Sequence, residues 1–324
     1  MKVTRFGLQL PNFTFPGVSD RELFGKVAEI SVAAEESGFD SVWVMDHFYQ
    51  IRNIGPRTGA MFEAYTLLSA IAARTEKANL GAMVTGVTYR NPALLAKIVT
   101  TLDVVSGGRA ILGIGAAWND DEHAGYGFSF PPVGERMGRL EEALQICRAM
   151  FTQDAPSFSG RYYQISGALN NPRPLRPTGV PVLVGGSGEK QTLRLVAKYA
   201  DACNIFGDVA TVGHKLAVLE RHCEEVGRDP AEVTKTRLGG LLIAPTAAEA
   251  ERKARDAAEA RGVGPALLRG YMIVGDPGSV CEQVAEYLGT GLDAMIFNMV
   301  DAQDIDPVRL AGETLTKEFG SLPR

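Results

Sequence analysis

The feature that most constrains this chain is strict alternation. Short apolar runs take turns with longer stretches of helical spacing from one end to the other. The runs are rich in Val, Ile and Leu. They read as buried parallel strands at residues 5–10, 41–45, 78–84, 109–114, 180–184, 202–206, 236–243 and 294–299. Helices are expected between them at 19–37, 63–74, 92–105, 135–150, 189–199, 209–226, 277–288 and 307–319. Ser19 offers a cap for the first helix and Gly38 a stop. Pro92 and Pro277 suit first-turn positions, where a missing N–H costs nothing.

Such a pattern predicts a (β/α)8 TIM barrel, with a doubly wound open sheet as the main rival. The barrel is preferred because it closes both edges of the sheet. No linker or shift in composition divides the 324 residues, so a single domain, 1–324, is expected. Three segments exceed ordinary barrel connections: 116–134, 153–179 and 245–271. The second carries "FSGRYYQI" and reads as a small hairpin plus a loop; the third reads as helical. Long structured insertions usually serve a site or an interface.

Composition narrows the function classes. The net charge is -5 and no basic stripe appears, which argues against a nucleic-acid partner. No run approaches the roughly 18 apolar residues of a membrane span. The N-terminus "MKVTRFGLQL" lacks a signal-peptide pattern, so a cytoplasmic protein is expected. Cys147, Cys203, Cys223 and Cys281 are far apart and show no metal-ligand spacing, so reduced thiols and no metal are expected.

In a barrel, functional groups stand where strands end. The second strand ends on Asp46 and His47. The third ends in Met83-Val84-Thr85, bracketed by Gly81 and Gly86, where a bulge or a close approach to backbone is expected. The fourth passes Gly113 and Gly115 into a loop with Trp118, Asn119, Asp121, Glu122, His123 and Tyr126. The fifth runs into Gly185-Gly186-Ser187-Gly188 and then a helix, an arrangement that suits a phosphate. Each has a plainer reading: a cap, tight packing, a solvated acidic loop, a tight turn. The glycine turn is neither a Walker motif nor a full dinucleotide fingerprint. Together these residues fit redox chemistry on a phosphate-bearing cofactor better than hydrolysis.

The chain resembles the luciferase-like flavin and deazaflavin oxidoreductases. The resemblance runs over roughly residues 3–300. It is carried by "FGLQLPN", "AEESGFDSVWVMDHF", "LGAMVTGVTYRNPALLAK", "SGGRAILGIGAAWNDDEHAGYGFSFPP", "RMGRLEEAL" and "VPVLVGGSGEKQTLRLVAKYADACN", in that order. It implies a TIM barrel holding an isoalloxazine-like ring at the C-terminal ends of its strands. In the deazaflavin branch, the residues matching Asp46 and His47 lie at the ring. The backbone matching Met83-Val84 carries a cis peptide behind the ring, and the residues matching Gly185, Gly186, Ser187 and Gly188 take the cofactor phosphate. Thr85 and Asn119 join this expected cofactor set. The sugar-phosphate dehydrogenase branch carries a catalytic glutamate in the fourth-strand loop, where this chain has Trp118.

On this resemblance the expected function is an oxidoreductase dependent on coenzyme F420 that moves a hydride to or from a small organic substrate. His47 is the expected proton donor or acceptor, with Asp46 to orient it. Glu122 and His123 are the next candidates. Lys190, Arg194 and Arg237 are candidate cations for the anionic tail of F420. The alternatives are an FMN-dependent monooxygenase and a non-catalytic cofactor-binding barrel. A homodimer is expected, since members of the family commonly pair.

Overall fold

The computed structural model describes residues 5–52 and 54–320; the outermost residues of the expected domain, 1–4 and 321–324, lie outside the described residues. The strands are β1 (Phe6–Leu10), β2 (Ser41–Val44), β3 (Asn79–Ala82), β4 (Thr85–Gly86), β5 (Ala110–Gly115), β6 (Phe158–Ser159), β7 (Gln164–Ile165), β8 (Val182–Gly185), β9 (Ala202–Ile205), β10 (Thr234–Ile243), β11 (Met272–Gly275) and β12 (Ala294–Met299). The helices are α1 (Leu23–Ser37), α2 (Ala64–Ala72), α3 (Pro92–Val105), α4 (Asp120–Tyr126), α5 (Val133–Thr152), α6 (Thr192–Tyr199), α7 (Val209–Glu225), α8 (Ala247–Ala260), α9 (Pro265–Tyr271), α10 (Pro277–Gly289) and α11 (Ile305–Phe319).

Parallel pairing runs β9–β10–β12–β1–β2–β3–β5–β8 and returns from β8 to β9. The ring is therefore a closed (β/α)8 TIM barrel, and the open-sheet rival is excluded. Closure leaves no strand in the ring with an unpaired edge.

Side chains alternate across the wall, as the two-residue period of a strand requires. Phe6, Leu8, Leu10, Val42, Val44, Leu112, Ile114, Val182 and Val184 are buried in the large outer core, which the helices cover. Trp43, Ile111, Leu183, Ala202 and Ile296 form a separate cluster that fills the ring, with Met83 at one end. Trp43 is the largest of these, and the ring accommodates it by omitting a side chain next door. A Cβ on Gly81 would lie 2.7 Å from the Trp43 ring. The indole N–H donates to Ser41 Oγ at 2.8 Å, so its one polar atom is satisfied inside an apolar layer.

Three expectations need correction. The third strand does not run unbroken over 78–84: it stops at Ala82 and resumes as β4, which pairs with β5. The break falls at the Met83–Val84 peptide, which is cis, as the resemblance implies. The helical insertion 245–271 leads into an unexpected strand, β11, which pairs with the second half of β10. Finally, α1 begins at Leu23 and α6 at Thr192, each a few residues later than the spacing predicts. Before α1, the Ser19 N–H and hydroxyl both donate to the Glu22 carboxylate, a turn in its own right ahead of the helix.

The segment 153–179 holds the expected hairpin, β6 paired antiparallel with β7. All four cysteines are unbonded, and Cys147, Cys203 and Cys223 are buried. Among the described residues no helix is long and apolar enough to cross a membrane.

Candidate active site

Four neighbouring strands, β2, β3, β5 and β8, end on the same rim and carry the residues singled out from sequence. The β2 end supplies Asp46, His47 and Phe48. Asp46 is buried and does not orient His47. Its two oxygens accept from Arg90 in a bidentate ion pair at 2.8 and 3.0 Å, and one also accepts the Gly86 N–H at 3.2 Å. Arg90 reaches on to Glu63 at 2.6 Å, tying this rim to the start of α2. Burial pushes the Asp46 carboxyl above its ordinary range, and Arg90 and Gly86 oppose that push.

The group that orients His47 is Glu122. Its Oε1 lies 2.9 Å from His47 Nδ1. Glu122 is 0% exposed yet well satisfied. The same oxygen accepts from Asn119 Nδ2 at 2.9 Å, and Oε2 accepts from the Tyr89 hydroxyl at 2.7 Å. Burial alone would raise its pKa, but the hydrogen bonds from His47, Tyr89 and the Phe48 backbone outweigh it and hold the carboxyl below its usual value. A carboxylate can only accept, so His47 Nδ1 donates to Glu122 and Nε2 is the nitrogen not engaged in that contact. Tyr89 is pushed far up by burial and by Glu122, so its hydroxyl remains a fixed donor.

Position explains why Glu122 can be buried and charged. It sits in the first turn of α4, a helix that the chain enters directly from the β5 end. His123, the next residue, is buried and engaged on both nitrogens: Nδ1 to the Asn119 carbonyl and Nε2 to the Thr88 hydroxyl, both at 2.6 Å. It holds the loop together.

On the β3 side, Gln9 donates to the Met83 carbonyl at 3.0 Å, anchoring the cis peptide from inside the ring. Val84 projects into a space cleared by glycines on two other strands. A Cβ on Gly115 would lie 2.8 Å from Val84, and one on Gly185 only 2.7 Å. Thr85 turns outward, its hydroxyl 2.6 Å from that of Tyr65 on α2. At the β8 end Gly186 adopts φ +124°, a conformation that favours glycine. The Ser187 hydroxyl accepts the Phe206 N–H at 3.2 Å, and Glu189 is held by Lys215 at 2.6 Å. Lys190 and Arg194 are exposed beyond this turn. Arg237 is not with them: it is buried on the outer side of β10, its guanidinium 4.0 Å over the Tyr287 ring and bonded to the Gly207 carbonyl.

The inner layer near the rim holds two amides with free capacity. Among the described residues, the buried Oδ1 atoms of Asn204 and Asn298 have no hydrogen-bond partner. Both strands alternate so that these side chains face into the ring. A buried acceptor without a donor is costly, and it fits a ligand that brings an N–H. Sequence reading missed these two asparagines, and also Gln9, Tyr89 and Arg90. The last two lie inside "TYRNP", but nothing in spacing links Arg90 to an acid 44 residues earlier. Among the described residues no cluster could hold a metal ion.

Residues 4–263 match the family model described as luciferase-like monooxygenase. The chain belongs to the luciferase-like monooxygenase family. It is 30% identical over 309 residues to an F420-dependent glucose-6-phosphate dehydrogenase from Amycolatopsis mediterranei (strain U-32), covering 86% of this chain and 90% of that one. A protein of the same name from Kineococcus radiotolerans is 35% identical over 65% of this chain, which spans 62% of that relative's length. Among solved structures, an F420-dependent secondary alcohol dehydrogenase in complex with an F420-acetone adduct superposes with a TM-score of 0.79, covering 97% of this chain and 99% of that one at 20% identity. At that identity the likeness is one of fold. Membership of the family makes this luciferase-like barrel an oxidoreductase acting on a small molecule.

Proposed function

We propose that this luciferase-like barrel uses coenzyme F420 to exchange a hydride with a small organic substrate, and that His47 handles the accompanying proton. The observation that carries this reading is the His47–Glu122 contact at 2.9 Å on the rim formed by β2, β3, β5 and β8. It makes a protonated Nδ1 and leaves Nε2 to accept or release a proton. The relatives named as F420-dependent support the choice of cofactor.

The residues fit such a group. The Gly185–Gly188 turn offers backbone close to a phosphate, and Lys190 and Arg194 stand exposed nearby for an anionic tail. Asn204 and Asn298 hold unmatched acceptors for ring N–H groups. When bound, F420 supplies hydride exchange; the protein supplies position and proton management. Glu122 holds the imidazole, Asn119 and Tyr89 hold Glu122, and Arg90 holds Asp46 beneath the same rim. We further expect a homodimer in the cytoplasm, as a single domain.

A side-by-side titration with F420 and FMN tests the cofactor. Saturable F420 binding with no FMN binding is expected, and the reverse would overturn the reading in favour of an FMN-dependent monooxygenase. His47→Ala should then lower turnover roughly 100-fold or more while F420 affinity changes only a few-fold. Unchanged turnover would remove His47 from the chemistry.

A further inference from the structure

The geometry points to a neutral, planar, aromatic or conjugated substrate for this site, in place of the phosphorylated sugar of the named relatives. This inference rests on the reading of the rim as the active site. Trp118 and Tyr126 are 63% and 53% exposed, unusual for such large rings. They are not scattered. Trp118 stands edge-on to the His47 ring, with centroids 5.4 Å apart at 73°. Tyr126 packs on Phe48, the residue after His47, at 4.5 Å, and lies parallel to Phe128 within 3°. One exposed ring therefore meets the proton-handling imidazole edge-on, and a second packs on the residue beside it.

The backbone is arranged to keep one of them there. Ala117 adopts φ 61°, the left-handed region that non-glycine residues avoid, immediately before Trp118. Strain held at a residue of this kind marks a side chain whose direction matters.

Charge points the same way. Asp120, Asp121 and Glu122 occupy the first turn of α4, beside the aromatic wall. The arginines that reach this region are committed: Arg57 stacks on Tyr49 at 4.1 Å and pairs with Asp121 at 2.5 Å, and Arg90 is held by Asp46 and Glu63. A phosphomonoester dianion would meet the exposed Asp120 here, while these guanidiniums already have carboxylate partners. A flat neutral ring would meet aromatic faces, which favour offset or edge contacts.

The test is calorimetric titration of the full chain with two probes, 2-naphthol and glucose 6-phosphate, each without F420 and at saturating F420. We expect 2-naphthol to bind and glucose 6-phosphate not to. Trp118→Ala and Tyr126→Ala, both at exposed positions, should each weaken 2-naphthol binding by about 3- to 10-fold. Tighter binding of glucose 6-phosphate, or an unchanged 2-naphthol affinity in both variants, would overturn the inference. F420 binding is followed separately by its own absorbance. If F420 fails to bind while the 2-naphthol results hold, the cofactor reading falls and the substrate class stands.

Discussion

Glu122 and His47 lie 75 positions apart in sequence and meet at 2.9 Å, carboxylate to Nδ1. The contact does what Asp46 cannot, because Asp46 has both oxygens on Arg90. Replacing Glu122 with Gln preserves its volume and removes its charge. The amide can offer His47 either a donor or an acceptor, so the imidazole loses its fixed tautomer. Turnover should fall about 10- to 100-fold, with F420 affinity altered little. Steady-state kinetics with a parallel F420 titration would show it, and equal losses in both would mean that Glu122 only supports the fold.

The same carboxylate should leave a mark on acid stability. Its pKa is lowered in the folded protein, so the unfolded chain binds its proton more readily. The stability it contributes is fully present above the ordinary carboxylate value of about 4.3. It is lost as pH falls from there through the lowered folded value. Urea midpoints measured from about pH 5 down to about pH 3 should therefore drop less steeply in Glu122→Gln than in the parent. Asp46, shifted upward, contributes with the opposite sign and does not account for that difference.

Arg90→Met tests the buried ion pair. It removes the guanidinium and leaves Asp46 in an apolar setting with only the Gly86 N–H. Breaking one side of such a pair costs about 3–5 kcal/mol. Adding Asp46→Asn to Arg90→Met should recover part of the loss in urea unfolding. No recovery would mean that Arg90 acts through Glu63 instead.

Gly185→Ala tests the space around Val84. The added methyl would sit 2.7 Å from Val84 Cγ1, so Val84 must move. Overpacking of this kind costs about 1–3 kcal/mol. F420 affinity should weaken about tenfold or more, since both residues belong to the expected cofactor set. A variant that loses stability but binds F420 normally would separate Val84 from the cofactor.

Much of the barrel was legible because its strands are buried on both sides and therefore continuously apolar. What failed was local. Met272–Gly275 is a four-residue strand directly behind a helical run, too short for periodicity to register. The break in 78–84 falls at a cis peptide, which no residue pattern encodes outside a family resemblance. The rim was legible through its polar residues at strand ends, but the partnerships were not. Asp46 and His47 are adjacent in sequence, which suggested that one serves the other. The fold instead sends one to Arg90 and the other to Glu122, each supplied by a later βα loop.

The long strand β10 has two allegiances. Its first residues pair with β9 and seal the ring, and its last pair with β11, outside the ring. Leu242, Ala244, Leu268, Met272 and Val274, with the alanines of α8, form a small core separate from the main one. The barrel is therefore complete without α8, α9 and β11. That segment is a graft on the rim, with its own interior, rooted in β10 and tied to α10 through Gln283 and to Asp301 through Lys253. Evolution could lengthen, trim or exchange it without reopening the ring, and so reshape what reaches the mouth while leaving the His47–Glu122 pair in place.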